Sequence, residues 1–474
     1  MKKLLAFLLL FKLSIAGASA DSIKTTINCT IHGLKKEGGL NELPSGLFLY
    51  ELKNGEAVSL GFQRPDAQGN CSFDLDVKEG VYFFKKAGGH GLDFKYTIYI
   101  KAGEQKKVDF YLGNLSIDYD SCVITKPNVE TKCLQAWLEA MNKYKKETMQ
   151  IPLGNSLVKK YGQFQKITAS FLASNKTANT FFNAWLADKV YTDLQYVRAA
   201  SYFRFGRVNT RYDSSAAVQS FYKPLYNQKI INDARSLRSE HGMELLDYTF
   251  GYWKVNEGSS QEKVVANYFS PENASKISNS TVKVAFLLHK MPGIKKYEDF
   301  VKYVQPNKNL FVTEKQKAAY SKAYNDLGPF AKGNLGYNFE LKDINDKTYT
   351  LAGFKGKVVV IDMWAMWCAP CLAEKPVMEK IAESYHDRND IVFVGVSTDG
   401  LSKKEVWKAF VKKRGFTSIE LLSNHTESIQ KYYMIEGIPR FLIFDKEGKI
   451  VTVDAPRPSD PAFKKLIDQT LGLK

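Results

Sequence analysis

Two cysteines three positions apart, Cys368 and Cys371, follow an apolar run and stand where a helix is predicted to begin. Residues 358–363 are mostly β-branched or apolar and predict a buried strand. A helix is predicted over residues 370–385, with Pro370 in its first turn. The first turn of a helix has backbone N–H groups without helical partners, and the helix dipole favours a negative charge there. The pattern therefore predicts a thiolate at Cys368.

A thiolate at this position predicts thiol–disulfide exchange. Cys368 attacks a substrate disulfide to form a mixed disulfide, and Cys371, one turn on, attacks that bond and releases the reduced substrate. Inert buried thiols and a zinc site are the alternatives. Zinc needs a second pair of ligands at a suitable spacing, which the nearest candidates, His386 and His425, do not provide. No metal site is therefore predicted.

The residues around the two cysteines resemble those of a known family. The run Trp367-Cys368-Ala369-Pro370-Cys371, continued by Glu374 and Pro376, is similar to the W-C-x-P-C-x-x-E-x-P centre of the TlpA/ResA-like thioredoxin-fold thiol–disulfide oxidoreductases. The upstream string FELKDINDKTYTLAGFKGKVVVIDMW is similar to that group's entry strands, and the resemblance covers residues 333–474. It implies protein disulfide substrates, a membrane thiol donor of the DsbD type, and no cofactor besides the redox-active Cys368–Cys371 disulfide.

Two acidic residues take candidate roles from this resemblance. Asp362 lies six residues before Cys368, where thioredoxins have a buried acid. The resemblance implies that Asp362 accepts a proton from Cys371 as that sulfur attacks, since burial raises the pKa of a carboxyl group. A solvated acid at the end of the strand is the alternative. Glu374, one turn after Cys371, either tunes the cysteines or is an acid on the helix surface that suits the dipole.

The candidate substrate-binding residues also come from the resemblance. Ile438-Pro439 matches the position of the family's cis-proline, where the backbone is left free to pair with a bound peptide. An ordinary trans proline in a turn is the alternative. Trp367 is expected to shield the sulfur and contact substrate, whereas Trp364 is expected to lie in the core.

The N-terminus predicts export. Lys2 and Lys3 precede an apolar run, and Ala18-Ser19-Ala20 fits a small-x-small cleavage site. Residues 1–20 therefore predict a secretory signal peptide, with an uncleaved anchor as the alternative. Together with the resemblance, this predicts a protein of the periplasm or cell envelope of a Gram-negative bacterium.

Three further segments follow, and together they predict a multidomain protein. Residues 21–125 predict a β-sandwich domain that resembles the β domain preceding thioredoxin-like domains in Bacteroidetes envelope proteins. Residues 126–330 have apolar residues at intervals of three and four and predict a helical domain. Residues 331–474 alternate strand and helix and predict an α/β thioredoxin-like domain. The predicted strands of the first segment are residues 22–31, 46–52, 70–77, 81–85, 94–101 and 107–112.

Composition excludes several classes of protein. The chain is 44% hydrophobic and 25% charged, as in globular proteins. Its formal charge of +17 is scattered, and no basic run is interleaved with aromatics as nucleic-acid binding would need. After the N-terminus, no segment is apolar enough for long enough to predict a membrane-spanning helix.

Four cysteines lie outside the C-x-x-C pair. We predict structural disulfides between Cys29 and Cys71 and between Cys122 and Cys133, because the first two lie on predicted strands and the other two flank a short loop. Four cysteines allow three pairings. Free buried thiols are the alternative.

The expected function is reduction of protein disulfides outside the cytoplasm. The Ala-Pro spacer adds no histidine or cationic group that would over-stabilise the thiolate, as strong oxidants do. A disulfide oxidase or isomerase is one alternative. A binding or adaptor protein of the envelope, acting through residues 21–330, is another.

Overall fold

The structure is a computed structural model in two compact units, Met1–Val265 and Ala266–Lys474, and each is described by itself. The predicted signal peptide lies outside the described residues, and the predicted domain boundaries stay predictions. The structure describes residues 24–32, 46–53, 56–76, 79–86, 96–112, 119–148, 151, 154–204, 207–208, 215–257, 270–423 and 429–473.

The first unit begins with two four-stranded sheets that share one hydrophobic core, as the sandwich prediction requires. Their orders are β4-β1-β7-β8 and β3-β2-β5-β6. Ile27 and Phe73 from one sheet and Leu49 and Phe84 from the other are all buried in this core, because inward-facing residues alternate with outward-facing ones along each strand. The strands are β1 (Thr25–His32), β2 (Leu47–Lys53), β3 (Glu56–Gln63), β4 (Asn70–Leu75), β5 (Gly80–Lys86), β6 (Tyr96–Ile100), β7 (Gln105–Leu112) and β8 (Tyr119–Thr125).

Strands β3 and β8 were not predicted from the sequence. Strand β3 is held by antiparallel pairing with β2, from Leu47 opposite Gln63 to Lys53 opposite Glu56, yet its own residues are polar at several positions. Strand β8 becomes apolar only in its second half. Both segments form strands because they pair with neighbouring strands, and such pairing cannot be seen in the pattern of a single sequence.

Helices follow the sandwich in the first unit. They enclose a core around Trp137, which is fully buried and stacks on Phe164 with ring centroids 5.8 Å apart. The elements are α1 (Val129–Thr148), α2 (Asn155–Ser174), α3 (Thr180–Tyr202), β9 (Phe203–Arg204), β10 (Arg207–Val208), α4 (Ala216–Tyr222), α5 (Gln228–Ile231) and α6 (Gly242–Asn256), with 3₁₀ turns at Lys223–Leu225 and Ala234–Arg238.

Neither predicted disulfide of the first unit is present. Cys29 and Cys71 are directly opposite each other on β1 and β4, but both are free thiols. Cys122 packs against the sandwich core, whereas Cys133 lies in the helical core and its sulfur is 3.6 Å from the carbonyl oxygen of Asn175. The predicted Cys122–Cys133 bridge is wrong because the two side chains pack into different hydrophobic clusters.

The second unit contains a seven-stranded sheet preceded by helices. No helix in the described part of the chain is long and apolar enough to cross a membrane. The helices are α7 (Ser280–Lys290), α8 (Tyr297–Asp299), α9 (Glu314–Leu327), α10 (Ala369–Glu383), α11 (Lys404–Arg414), α12 (Ile429–Tyr432) and α13 (Pro461–Leu471). The strands are β11 (Glu340–Asp343), β12 (Thr348–Thr350), β13 (Val358–Trp364), β14 (Ile391–Ser397), β15 (Ile419–Leu422), β16 (Arg440–Phe444) and β17 (Ile450–Thr452). Short 3₁₀ or π segments are Pro271–Lys276, Met291–Gly293, Phe300–Val304, Gln305–Leu310, Gly328–Phe330, Ala352–Phe354 and Leu401–Lys403.

Strand β13 occupies the centre of this sheet, whose order is β12-β11-β15-β14-β13-β16-β17. All seven of its residues are buried, as expected for a strand covered on both faces. It runs parallel to β14 and antiparallel to β16. The predicted thioredoxin-like α/β layout is confirmed, and β16 and β17 form an antiparallel pair at the edge of the sheet. The end of β13 leads directly into the two cysteines and α10.

Candidate active site around Cys368 and Cys371

Cys368 is the N-cap residue of α10. Its sulfur accepts a hydrogen bond from the backbone N–H of Cys371 at 3.2 Å. The backbone N–H of Cys368 donates to the carbonyl of Ala365 at 3.1 Å, which closes the turn after β13. The predicted placement of the first sulfur at an unpaired helix N–H is therefore confirmed. A thiolate there is stabilised by that N–H and by the helix dipole.

The two cysteines form a disulfide in this structure. Both are almost completely buried, with Cys368 3% and Cys371 1% exposed, whereas the neighbouring Trp367 is 68% exposed. Trp364 is fully buried and donates its indole N–H to Glu420 at 2.8 Å. The two tryptophans therefore differ in the way the sequence indicated, with one in the core and one at the surface beside the sulfurs.

Asp362 lies inside the sheet and is not a solvated acid at a strand end. It is 3% exposed, and its pairing partners on the two neighbouring strands are Gly395 and Phe441. Its Oδ1 has no hydrogen-bond partner among the described residues. Burial raises the pKa of Asp362 to about 6, against the opposing effect of the Lys375 ammonium. A carboxylate with this proton affinity suits a general base near neutral pH.

Lys375 is buried next to Asp362, and the sequence analysis missed it. Its Nζ is 3.2 Å from Oδ2 of Asp362 and 2.6 Å from Oε1 of Glu420. Burial lowers the pKa of Lys375, but the two carboxylates outweigh that effect and hold it above its ordinary value. Lys375 therefore stays an ammonium ion between two acids.

Periodicity along α10 is the signal that could have located Lys375. The buried residues of the helix are Cys371, Glu374, Lys375 and Met378, spaced as one face of a helix. A lysine and a glutamate on the face that contains Cys371 are therefore internal groups. Glu420 gave a similar signal, because it is a charged residue inside the short apolar strand β15.

Glu374 is buried, so the helix-surface alternative is wrong for this residue. It is 7% exposed, and its carboxylate accepts hydrogen bonds from the backbone N–H and the hydroxyl of Ser459 at 3.0 and 2.9 Å. The side chain ties α10 to the segment that precedes α13. The sequence did not indicate Ser459 as its partner, because the two residues are 85 positions apart.

Another buried acid, Asp399, holds the loop before the cysteines. Its Oδ2 accepts hydrogen bonds from the backbone N–H of Met366 and from the hydroxyl of Ser397, both at 2.8 Å. Asp399 therefore fixes the backbone one residue before Trp367. Nothing in the sequence pattern distinguished this aspartate from an ordinary loop residue.

The Ile438–Pro439 peptide bond is cis, in agreement with what the resemblance implies. An open groove of about 770 Å³, within the usual size of ligand clefts, has Ile438 and Trp367 among its lining residues. Thr398 and Met434 line it as well. The sequence-predicted Trp367 and Ile438 are therefore brought together at one groove.

One side-chain cluster of the described residues has the spacing of metal ligands, and it lies in the first unit. Oxygen or nitrogen atoms of Asp193, Glu240 and His241 fall within 4.8 Å of one another. The ammonium of Lys189 already contacts both carboxylates, at 3.0 and 2.6 Å. This buried lysine supplies the positive charge that the two acids require.

Comparison with known proteins gives a family match inside the second unit. Residues 331–467 match the family model described as Redoxin. The thioredoxin-like protein YneN of Bacillus subtilis (strain 168) is 30% identical over 142 residues, which are 30% of this chain and 79% of that protein. The thiol-disulfide oxidoreductase ResA of the same organism is 30% identical over 135 residues, or 28% of this chain and 73% of that protein. The crystal structure of the thioredoxin domain of a thiol-disulfide oxidoreductase from Bacteroides vulgatus is 26% identical and covers 29% of this chain and 96% of its own, with a TM-score of 0.26.

The match to YneN extends over most of that protein's length. The Redoxin match spans the central strand, both cysteines and the cis-proline. Through these C-terminal residues, the chain belongs to the TlpA/ResA-like family of thioredoxin-fold thiol–disulfide oxidoreductases.

Proposed function

We propose that the protein is an exported reductase of protein disulfides, with the Cys368–Cys371 pair as its redox group and no additional cofactor. The observation that carries this proposal is the hydrogen bond from the Cys371 N–H to the Cys368 sulfur at the start of α10. A thiolate at that sulfur is stabilised by this backbone N–H group and by the helix dipole. Such contacts stabilise the Cys368 thiolate only moderately, and a moderately stabilised thiolate suits a reductant more than a strong oxidant.

The reduced protein would act in two displacement steps. The Cys368 thiolate attacks one sulfur of a substrate disulfide, forms a mixed disulfide and expels the other substrate sulfur as a thiolate. Asp362 then takes the proton of the Cys371 thiol, and the resulting thiolate attacks the Cys368 sulfur. The second substrate sulfur leaves as a thiolate, and the Cys368–Cys371 disulfide is formed. Two electrons have moved from the protein to the substrate.

Substrate would bind beside Trp367 and the Ile438–Pro439 bond. The groove between them is open and lies next to an exposed indole, which fits an extended peptide that carries a disulfide. An exported reductase must be re-reduced, so we propose a membrane thiol donor of the DsbD type. The pattern of residues 1–20 supports export to the periplasm or envelope.

Insulin reduction by the full-length protein tests this function. Cys368→Ser should abolish turnover, and Cys371→Ser should accumulate mixed disulfides because the release step is missing. Unchanged turnover in either variant would contradict the proposal. Equilibration with glutathione tests the direction, since a potential above roughly −180 mV would indicate an oxidase or isomerase instead. Persistence of the cellular effect in Cys368→Ser would indicate a binding or adaptor role for residues 21–330.

A further inference from the structure

Three adjacent strands of the second unit place Asp362, Gly395 and Glu420 in one row. Asp362 on β13 is opposite Gly395 on β14, and Gly395 is opposite Glu420 on β15. A Cβ atom at position 395 would overlap the carboxylate of Glu420. The glycine therefore leaves an opening in the middle of the row, and the Glu420 carboxylate lies in it.

Lys375 reaches the carboxylates of Asp362 and Glu420 from α10. Its Nζ lies within 3.2 Å of both carboxylates and 4.6 Å from the centre of the Trp364 ring. All three ionisable side chains are at most 5% exposed. Interactions between charges in such a buried setting are weakly screened by solvent.

The two carboxylates differ in how well their charged forms are solvated. Glu420 accepts hydrogen bonds from the Trp364 indole N–H at 2.8 Å and from the Ser418 hydroxyl at 2.7 Å. Oδ1 of Asp362 has no partner among the described residues. Hydrogen bonds to a carboxylate favour its charged form. Asp362, which has the unpartnered oxygen, is the acid of this pair whose pKa is raised by burial, to about 6.

We propose that Lys375, held between Asp362 and Glu420, is a positioning residue that sets the pH at which Asp362 can take the proton of Cys371. This inference rests on the proposed function, because it concerns the release step of that reaction. The ammonium favours the charged form of Asp362, and Glu420 opposes it. The lysine and the glutamate therefore act on Asp362 in opposite directions.

The remaining groups around Asp362 do not duplicate this effect. The ionisable groups that act on it are Lys375 and Glu374 from α10 and Glu420 from β15. The paired residues of the other two adjacent strands, Gly395 and Phe441, carry no charge. Lys375 is the cation that forms an ion pair with Asp362 among the described residues.

Stopped-flow reaction of the reduced full-length protein with Ellman's reagent tests the proposal. The first phase releases one thionitrobenzoate as Cys368 attacks, and the second releases another as Cys371 resolves the mixed disulfide. Cys371→Ser identifies the second phase by abolishing it, and Cys368→Ser gives the background from the other thiols. The pH midpoint of the second phase is the quantity compared between variants.

Lys375→Met should raise the midpoint of the second phase by roughly one unit or more, because two carboxylates are left without their cation. Glu420→Gln should lower the midpoint by a similar amount, roughly one unit, because only the cation remains. Lys380→Met, an exposed lysine on the same helix, should leave it unchanged. The proposal would be overturned if the midpoint shifted in the same direction in Lys375→Met and Glu420→Gln, or shifted in neither variant.

The double variant Lys375→Met/Glu420→Gln keeps the test possible if one of the single variants does not fold. Removing both members leaves no uncompensated buried charge from the pair, and its midpoint should lie between those of the single variants. A ¹³C NMR titration of aspartate-labelled protein should show the same order for Asp362 itself. An Asp362 titration that is identical in all variants would refute this inference even if Cys368→Ser abolishes insulin reduction.

Discussion

Glu374 and Ser459 are joined by two hydrogen bonds, from the backbone N–H and the hydroxyl of the serine to the glutamate carboxylate. The helix that carries the redox cysteines is thereby fixed to the segment before the last helix of the chain. The acid of the family motif thus has a structural partner in this protein. This arrangement leads to the first of four predictions.

Glu374→Ala should lower the free energy of unfolding by about 2–3 kcal/mol, because two buried hydrogen bonds to a charged group are lost. Urea unfolding of the oxidised protein measures this effect. Glu383→Ala, which removes an exposed acid from the same helix, should change stability by less than about 0.5 kcal/mol. Equal effects of the two substitutions would show that the Ser459 contacts contribute nothing.

Asp362→Asn should stabilise the protein more at neutral than at acid pH. The pKa of Asp362 is about 6 in the folded protein, above the ordinary value of 3.8. Between these values the folded state holds a proton that the unfolded chain has released, so stability falls as pH rises through this window. The variant lacks this penalty, and its stability relative to the parent should increase by about 2–3 kcal/mol between about pH 4 and about pH 7.5.

Urea unfolding of both proteins at the two pH values checks this sign. A difference that does not depend on pH would mean that the carboxyl group titrates normally in the folded state. A difference that decreases towards neutral pH would mean that Lys375 dominates over burial.

Gly395→Ala should lower the free energy of unfolding by about 1–3 kcal/mol, because the added methyl group overlaps the Glu420 carboxylate in a packed interior. Gly328→Ala is the matched control, since nothing lies within 4 Å of a Cβ there and its backbone is right-handed helical. That substitution should be neutral or slightly stabilising. If both variants unfold at the same urea concentration as the parent, the row of Asp362, Gly395 and Glu420 has room for a side chain.

Substitution of Trp367 should affect substrate binding, whereas substitution of Trp364 should affect stability. Trp367→Ala should raise the KM for insulin without changing the free energy of unfolding by more than about 0.5 kcal/mol, because the side chain is 68% exposed. Trp364→Ala should cost about 3–5 kcal/mol, since it empties a fully buried site and removes the N–H bond to Glu420. Unchanged KM in Trp367→Ala would remove this residue from the substrate-binding surface.

Local pattern was sufficient to predict much of the second unit. The alternation of strand and helix that was predicted over residues 331–474 is present, because apolar runs there are separated by clear turn residues. The two cysteines were located for the same reason, since they mark a strand-to-helix junction. In the first unit, β3 and β8 depend on pairing with strands that have stronger patterns, and local sequence did not reveal them.

Local pattern predicted the site only where one element defines it, whereas Asp362 and Ile438–Pro439 were predicted from the family resemblance. Cys368 and Cys371 follow from a single helix start, whereas the surroundings of Asp362 are assembled from three strands and a helix. Lys375, Glu420 and Gly395 meet only through the register of the sheet. The prediction of a Cys122–Cys133 disulfide failed for a related reason. The two residues are close in sequence, but Cys122 packs against the sandwich core and Cys133 lies in the helical core.

The opening left by Gly395 has a consequence for how this protein's relatives can diverge. A side chain at that position would displace Glu420, and loss of Glu420 would leave Lys375 with a single counterion in the protein interior. A protein that carries only one of these changes is therefore expected to be less stable. Relatives are expected to inherit the glycine, the lysine and the glutamate as a set, or to have replaced all three with a hydrophobic contact.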